Sequence, residues 1–319
     1  MADLNRHKRQ TLRHIQEHIN RTRHRHGLTL EQTGVMEVYS HATDDFGAYN
    51  YTTPRRGVAW VPGTDIRAAL DQLSKHRVPR LELIEGLFPP AFHHQLETFG
   101  LTVRRHALLT YGIISDCDQQ APLIELAAPT PPRIGTFEAA DRHAIATWLR
   151  LHQRPTDSAT IDQCWENVAN GTEVYCLACD DYVMAGGLVV SIDPPMAEVR
   201  SLYTADVYRQ RGIGSALLRS AVTYAQKRGC TSIFVIADDA NCARLYRRAG
   251  FVDLDVVLVY ERTLLAEPLI SRAAPPGLSA EPPKNTALDG APVNGLELKP
   301  TGNNTVSEDT VSETVGAGD

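Results

Sequence analysis

The stretch of this sequence best suited to chemistry runs YRQRGIGS from Tyr208 to Ser215. Two glycines two residues apart, flanked by Arg209 and Arg211, are suited to hold an anion. A phosphate loop of the ATPase kind needs Lys and then Ser or Thr after its last glycine, whereas Gly214 is followed by Ser215 and Ala216. A dinucleotide fingerprint needs a third glycine where this chain has Leu217. What survives is a strand, a loop of backbone N–H groups and a helix that begins at the glycines. That geometry turns unpaired amides and a positive helix end toward a phosphate. Gly212 and Gly214 let the ligand approach the main chain closely.

The elements that must position this turn are legible on both sides of it. RIGTF at 133–137 reads as a strand, followed by helical patterns from Ala139 to about Leu151 and from Ile161 to Val168. EVYCLACD, YVMAGGLVVSI and AEVRSLYT read as three strands, the first two joined near Asp180 and Asp181. After the turn, Ile213, Ala216, Leu217, Ala221, Tyr224 and Ala225 recur at helical spacing up to Gly229. A buried strand, TSIFVIA, a short helix, NCARLYRRAG, and a long final strand, FVDLDVVLVYER, complete the order βααβββαβαβ.

In these residues the chain resembles the GNAT family of acetyl-CoA-dependent N-acetyltransferases. The family signature, Arg or Gln-x-x-Gly-x-Gly or Ala, is matched by Arg209, Gly212 and Gly214. A second family feature, Leu-Tyr shortly before Gly-Phe, is matched by Leu245-Tyr246 and Gly250-Phe251. The resemblance covers about 130 residues, counted from the strand at 133 to the strand end at 262. It implies an α/β (α+β) acyl-CoA N-acyltransferase fold with mixed sheets flanked by helices. It also implies that the amides of Gln210, Arg211, Gly212, Ile213, Gly214 and Ser215 cradle the CoA pyrophosphate, with Arg209 adding charge beside them. Leu202, Tyr203 and Thr204 would pair their backbone with the pantetheine arm as an added strand does. Asn241 is expected on the CoA arm, with Asp239 competing for that role, and Tyr246 is expected to contact the cofactor and act as general acid. The chemistry implied is direct attack of a neutral amine on the thioester. A free strand N–H near Leu202 would hold the developing oxyanion, and Glu198 is a candidate base.

The first block reads as a worn copy of the second. RLELIEGLFPPAFHHQLETFGLTVRRHALLTYG lies over SIFVIADDANCARLYRRAGFVDLDVVLVYER, with Gly100-Leu101 over Gly250-Phe251. In that register Leu96 takes the place of Tyr246, and Ala91 that of Asn241. No Arg/Gln-x-x-Gly-x-Gly follows GVAWVPGTDIRAALDQL, so this block has neither cofactor turn nor acid. The expected layout is tandem: a degenerate GNAT-like domain at 1–115, a linker at 116–132, a catalytic domain at 133–262 and a disordered acidic tail at 263–319. The tail has seven prolines, six glycines and no aromatic residue, too little apolar area to offset its ordering entropy.

Composition narrows the classes. The 319 residues are 43% hydrophobic and 22% charged with a net charge of −6, against a nucleic-acid binder. No membrane-length apolar run or signal peptide is visible, and six cysteines without one read as reduced thiols, so the expected compartment is the cytoplasm. No metal is expected. Cys176 and Cys179 are a lone pair whose side chains point to opposite faces of a strand. His14 and His18 share a face of a basic helix expected to be solvated, with Leu4, Leu12, Ile15 and Ile19 packing it on its own domain. The acceptor is expected to be a small-molecule amine or a peptide N-terminus, met by the region 150–165 with His152, Arg154, Asp157 and Trp165. The alternative is a non-catalytic acyl-CoA-binding regulatory module.

Overall fold

The computed structural model describes residues 2–41, 49–58, 60–74, 79–111, 133–137, 142–152, 154, 156–180 and 183–262. The linker and tail expected at 116–132 and 263–319 lie outside these residues. The first half runs α1 (Ala2–His24), β1 (Thr29–Thr33), β2 (Met36–Ser40), β3 (Tyr51–Pro54), α2 (Gly63–Ser74), β4 (Arg80–Ile84), α3 (Pro90–Glu97) and β5 (Leu101–Tyr111). The second runs β6 (Arg133–Phe137), α4 (Arg142–Leu151), α5 (Ser158–Ala169), β7 (Glu173–Asp180), β8 (Val183–Asp193) and β9 (Met196–Thr204). It ends in α6 (Ile213–Lys227), β10 (Ser232–Ile236), α7 (Ala240–Arg248) and β11 (Val252–Arg262).

All these strands form one mixed sheet in the order β1-β2-β3-β4-β11-β5-β10-β9-β8-β7-β6. Three antiparallel strands in the first half, β1 to β3, and four in the second, β6 to β9, lead to a parallel pair, β3 with β4 and β9 with β10, and a helix connects each pair. The last strands then cross over. β5 pairs with β10 and β11 pairs with β4, both antiparallel, while β5 and β11 lie antiparallel side by side from Val252↔Thr110 to Arg262↔Leu101. The halves are thus related by an approximate two-fold between β5 and β11, and each completes the other's sheet.

Alternation along the central strands sorts the helices onto two faces. Leu109, Val235 and Val190 face α6 and α7, and Leu83 and Leu258 face α2 and α3. Their neighbours Leu108, Phe234, Ile84 and Val257 face α1 on the other side, where Val189 meets α4 and α5. The α1 helix is therefore not the solvated helix of one domain. Leu12, Ile15 and Ile19 are buried as their spacing requires, but against residues of both halves, and each contributes roughly 2 kcal/mol on burial. His18 is fully buried edge-on to Phe234, with both ring nitrogens unpartnered, while His14 is exposed. Burial holds the His18 pKa down at about 4, so this imidazole is neutral.

Candidate active site

The site is built where β9 and β10 part. Their parallel pairing ends at Val235↔Val199, and β9 continues to Thr204 with only β8 beside it. A bulge accompanies the parting: between Val189↔Arg200 and Gly187↔Tyr203 the register shifts, and Ser201 takes φ +56°. The extra residue bends β9 away from β10 and leaves main-chain groups of Leu202 to Thr204 facing a cleft. Such a crevice at the carboxyl ends of parallel strands is where open α/β sheets bind ligands. Gly186 and Gly187 on β8 are needed opposite the bulge. A Cβ on Gly186 would stand 2.7 Å from the Tyr203 carbonyl oxygen, and one on Gly187 would stand 2.6 Å from the Trp148 ring.

The chain then turns through Asp206–Tyr208 into α6. Gln210 and Gly212 both adopt positive φ, +63° and +77°, and Gly212 is the N-cap with no side chain to bond the first amides. The first bond of this helix runs from the Ala216 N–H to the Gly212 carbonyl. The preceding amides of the first turn have no partner within the helix, and the helix dipole adds to their attraction for an anion. Arg209 is tethered beside them, donating to the Thr204 carbonyl at 3.3 Å and pairing with Asp206 at 2.8 Å. The Arg211 guanidinium lies 5.4 Å from the Tyr208 ring centre. Gly214 sits under Leu245, whose methyl would be 3.2 Å from a Cβ there. Space above the turn is therefore open, and the packing beneath it is tight.

On the far side of the cleft stands α7. Asp239 is its N-cap, accepting the Cys242 N–H at 2.8 Å, so this carboxylate is engaged by its own helix. Asn241 is exposed on the first turn and accepts from Arg244. Tyr246 is buried against Phe251 in the cluster that also touches Leu202 and Tyr208, and its hydroxyl has no hydrogen-bond partner among the described residues. Burial, reinforced by Cys242, Asp238 and Asp239, raises its pKa, so it stays protonated at neutral pH.

Beside the bulge lies a cavity of about 310 Å³, its wall including Arg200 and Ser201 of β9. His152, Arg154 and Asp157 line it as the sequence led us to expect, but Trp165 does not; it packs among the helices α4 and α5. Sequence reasoning missed the opposite wall, made by His26, His41 and Tyr49 of the first half. Arg21 and Arg25 pin that wall to Asp193 at 2.9 and 3.2 Å, and the Arg25 carbonyl accepts from Asn167. Behind it, Glu173 of β7 is buried and bound to Arg200 and Ser191, with His26 Nε2 close by. Burial and then Arg200 and Arg154 hold the His26 pKa well below its ordinary value. A neutral His26 accepts from Arg200 at 2.7 Å through Nε2, and its 2.9 Å approach to Glu173 is not a charged pair. These residues carry no local signal; only the pairings Glu173↔Ser191 and Val189↔Arg200 and the path of α1 bring them together.

Glu198 stands elsewhere. It is buried under α1 and is not among the residues lining the cavity. Burial, with Glu82 adding and Arg23 opposing, pushes its pKa up to about 7. His152 does line the cavity, packed on Trp148 and edge-on to Tyr203, with Nε2 buried and unpartnered. Burial and then Arg154 lower its pKa to about 4. Cys176 and Cys179 face different clusters on opposite faces of β7, and among the described residues no three His, Cys, Asp or Glu side chains converge as a metal site requires.

Residues 137–251 match the Acetyltransferase (GNAT) family model. An uncharacterized N-acetyltransferase of Methanocaldococcus jannaschii is 32% identical over 91 residues, 28% of this chain and 38% of that protein. The aminoglycoside N(6')-acetyltransferase type 1 of Serratia marcescens is 31% identical over 72 residues, 22% of this chain and 49% of its own. The chain thus spans half or less of these two relatives. The fold is shared with a GCN5-related N-acetyltransferase from Kribbella flavida, TM-score 0.57 at 18% identity over 73% of this chain and 89% of that one. It is also shared with a tandem GNAT protein from the clavulanic acid biosynthesis pathway, TM-score 0.52 at 14% identity over 74% and 83%.

Proposed function

We propose, from the GNAT domain that residues 137–251 constitute, that this protein transfers an acetyl group from acetyl-CoA to a primary amine. The observation that carries this reading is the splayed β9–β10 cleft ending on the open glycine turn at Gly212. Amides from Gln210 to Ser215 hold the pyrophosphate, Leu202 to Thr204 pair with the pantetheine arm, and Asn241 rather than the capping Asp239 meets the CoA arm. The thioester then lies at the bulge, between the cleft and the 310 Å³ cavity that receives the amine. The amine nitrogen attacks the thioester carbon, a β9 N–H near Leu202 stabilises the oxyanion, and the C–S bond breaks. Tyr246 gives its proton to the departing thiolate. The proton of the attacking nitrogen, made more acidic by addition to the carbonyl, passes to the neutral His152 imidazole. Glu198, away from the cavity wall, is not needed for that step.

The first half has the matching layout without the matching turn. Its helix α2 begins Gly63, Thr64, Asp65, and the Asp65 carboxylate accepts the Val35 N–H at 2.9 Å. A carboxylate occupying the helix start repels a pyrophosphate. One CoA site per chain is therefore expected, and calorimetric titration of the full chain with acetyl-CoA tests it. A stoichiometry of one, abolished by Arg209→Glu with Gly212→Asp in a protein that still unfolds cooperatively, supports the reading. Undiminished affinity in that double variant removes it.

A further inference from the structure

The bulge on β9 is held from outside its own strand. Ser201 and Leu202 together face Leu188 alone, since Val189 pairs with Arg200 and Gly187 with Tyr203. Ser201 carries φ +56°, a left-handed conformation that a residue with a Cβ keeps only where its surroundings fix it. Its own side chain makes no hydrogen bond among the described residues. The residue before it supplies the anchor. The Arg200 guanidinium is paired with Glu173 of β7, whose side chain is 2% exposed and also accepts from Ser191 at 3.2 Å. The same guanidinium donates to His26 Nε2 at 2.7 Å and to the Tyr49 hydroxyl at 3.4 Å, both from the first half. The chain that carries His26 is itself fixed to β8, where Arg25 donates to the Ile192 carbonyl at 2.9 Å. One side chain thus ties the start of the bulge to an interior strand and to the first half at once. A buried charged pair of this kind loses much on leaving its one good geometry.

We infer that Glu173 and Arg200 are positioning residues for the transfer: by fixing the bulge they hold the main chain of Leu202 to Thr204 where the thioester and the pantetheine arm must lie. Glu173 acts through Arg200 alone, since it is not among the residues lining the cavity. This rests on the acetyl transfer proposed above.

The test uses two variants of the full chain. Glu173→Leu with Arg200→Met replaces both charges by apolar groups, which a buried site tolerates far better than the loss of one partner. Glu173→Gln keeps an oxygen for Arg200 and Ser191 to donate to. Amide hydrogen exchange without any ligand compares residues 199–205 with α6. The double variant is expected to exchange at least tenfold faster over 199–205 with α6 unchanged, while Glu173→Gln stays within threefold of the parent in both segments. Calorimetry then compares acetyl-CoA with the phosphoadenosine diphosphate half of CoA, which lacks the pantetheine arm. The double variant should bind acetyl-CoA at least fivefold more weakly and the nucleotide half within twofold of the parent, with Glu173→Gln restoring acetyl-CoA affinity. Unchanged exchange over 199–205 overturns the inference. So does equal acceleration in α6, which loss of stability alone would produce, and so does an equal loss of affinity for both ligands. A parent chain that binds neither ligand defeats the transferase reading instead, and the exchange result then decides separately whether the pair fixes the bulge.

Discussion

At the scale of residues, the two candidate proton carriers sit in environments that push them in opposite directions. Burial raises Tyr246, keeping a proton available for the thiolate, while burial lowers His152, keeping a lone pair available for the amine's proton. Tyr246→Phe and His152→Gln are each expected to lower kcat at least tenfold, with acetyl-CoA affinity within twofold of the parent. Single-turnover release of CoA thiol beside calorimetry checks both, and an undiminished kcat removes the residue from its role. Glu198 carries a different prediction. Its folded pKa, about 7, lies above the ordinary glutamate value of 4.5, so the folded chain keeps a proton that the unfolded chain releases. Stability therefore falls as pH rises from 4.5 to 7, by about 3 kcal/mol in all. Glu198→Gln cannot ionise, so its melting temperature should gain on the parent's across that window and hold the gain above pH 7. A gap that narrows with rising pH would contradict this.

At the scale of elements, the exchange of last strands matters most. β11 is paired on both sides by first-half strands, β4 and β5, and β10 is closed on one side by β5. Residues 133–262 alone would expose both edges of β11, one edge of β10 and the apolar faces of Phe234, Val257 and Val259. Such a fragment is expected to be aggregated or oligomeric, as size-exclusion chromatography and circular dichroism would show. A monomeric fragment with the melting temperature of the full chain would refute the view that the halves fold as a unit. The α6 helix illustrates the opposite case, an element whose role is local. Its glycine cap, apolar stripe and stop at Gly229, with φ +83°, all follow from its own residues.

At the scale of the whole molecule, α1 joins the halves. Its apolar stripe lies under both, and its C-terminal end brings Arg21, Arg23, Arg25 and His26 to the second half and to the buried acids. Arg23 binds Glu82 at 2.7 Å, and although burial alone would raise Glu82, Arg23 and Arg80 hold it down at about 2. A first half without a phosphate turn thus keeps a structural use, as the far wall of the cavity and as the donor of β5. This explains physically why a domain reduced to Leu96 where its counterpart has Tyr246 still has a full core.

The sequence by itself determined the elements of the second half and the turn at Gly212, because strand alternation, helix spacing and glycine at positive φ are properties of neighbours along the chain. It also determined the internal likeness of the halves, since strand, helix, glycine and strand recur in one order. Only the tertiary structure decided that their last strands trade places, that His18 is buried, and that Glu198 lies away from the cavity. It alone assembled His26, Tyr49 and Arg200 into one wall, from positions up to 174 residues apart. Strand exchange leaves no mark in local pattern, because β5 and β11 alternate in the same way whichever neighbour they pair with. A polar residue on a strand reads as solvated until the helix that covers it is known.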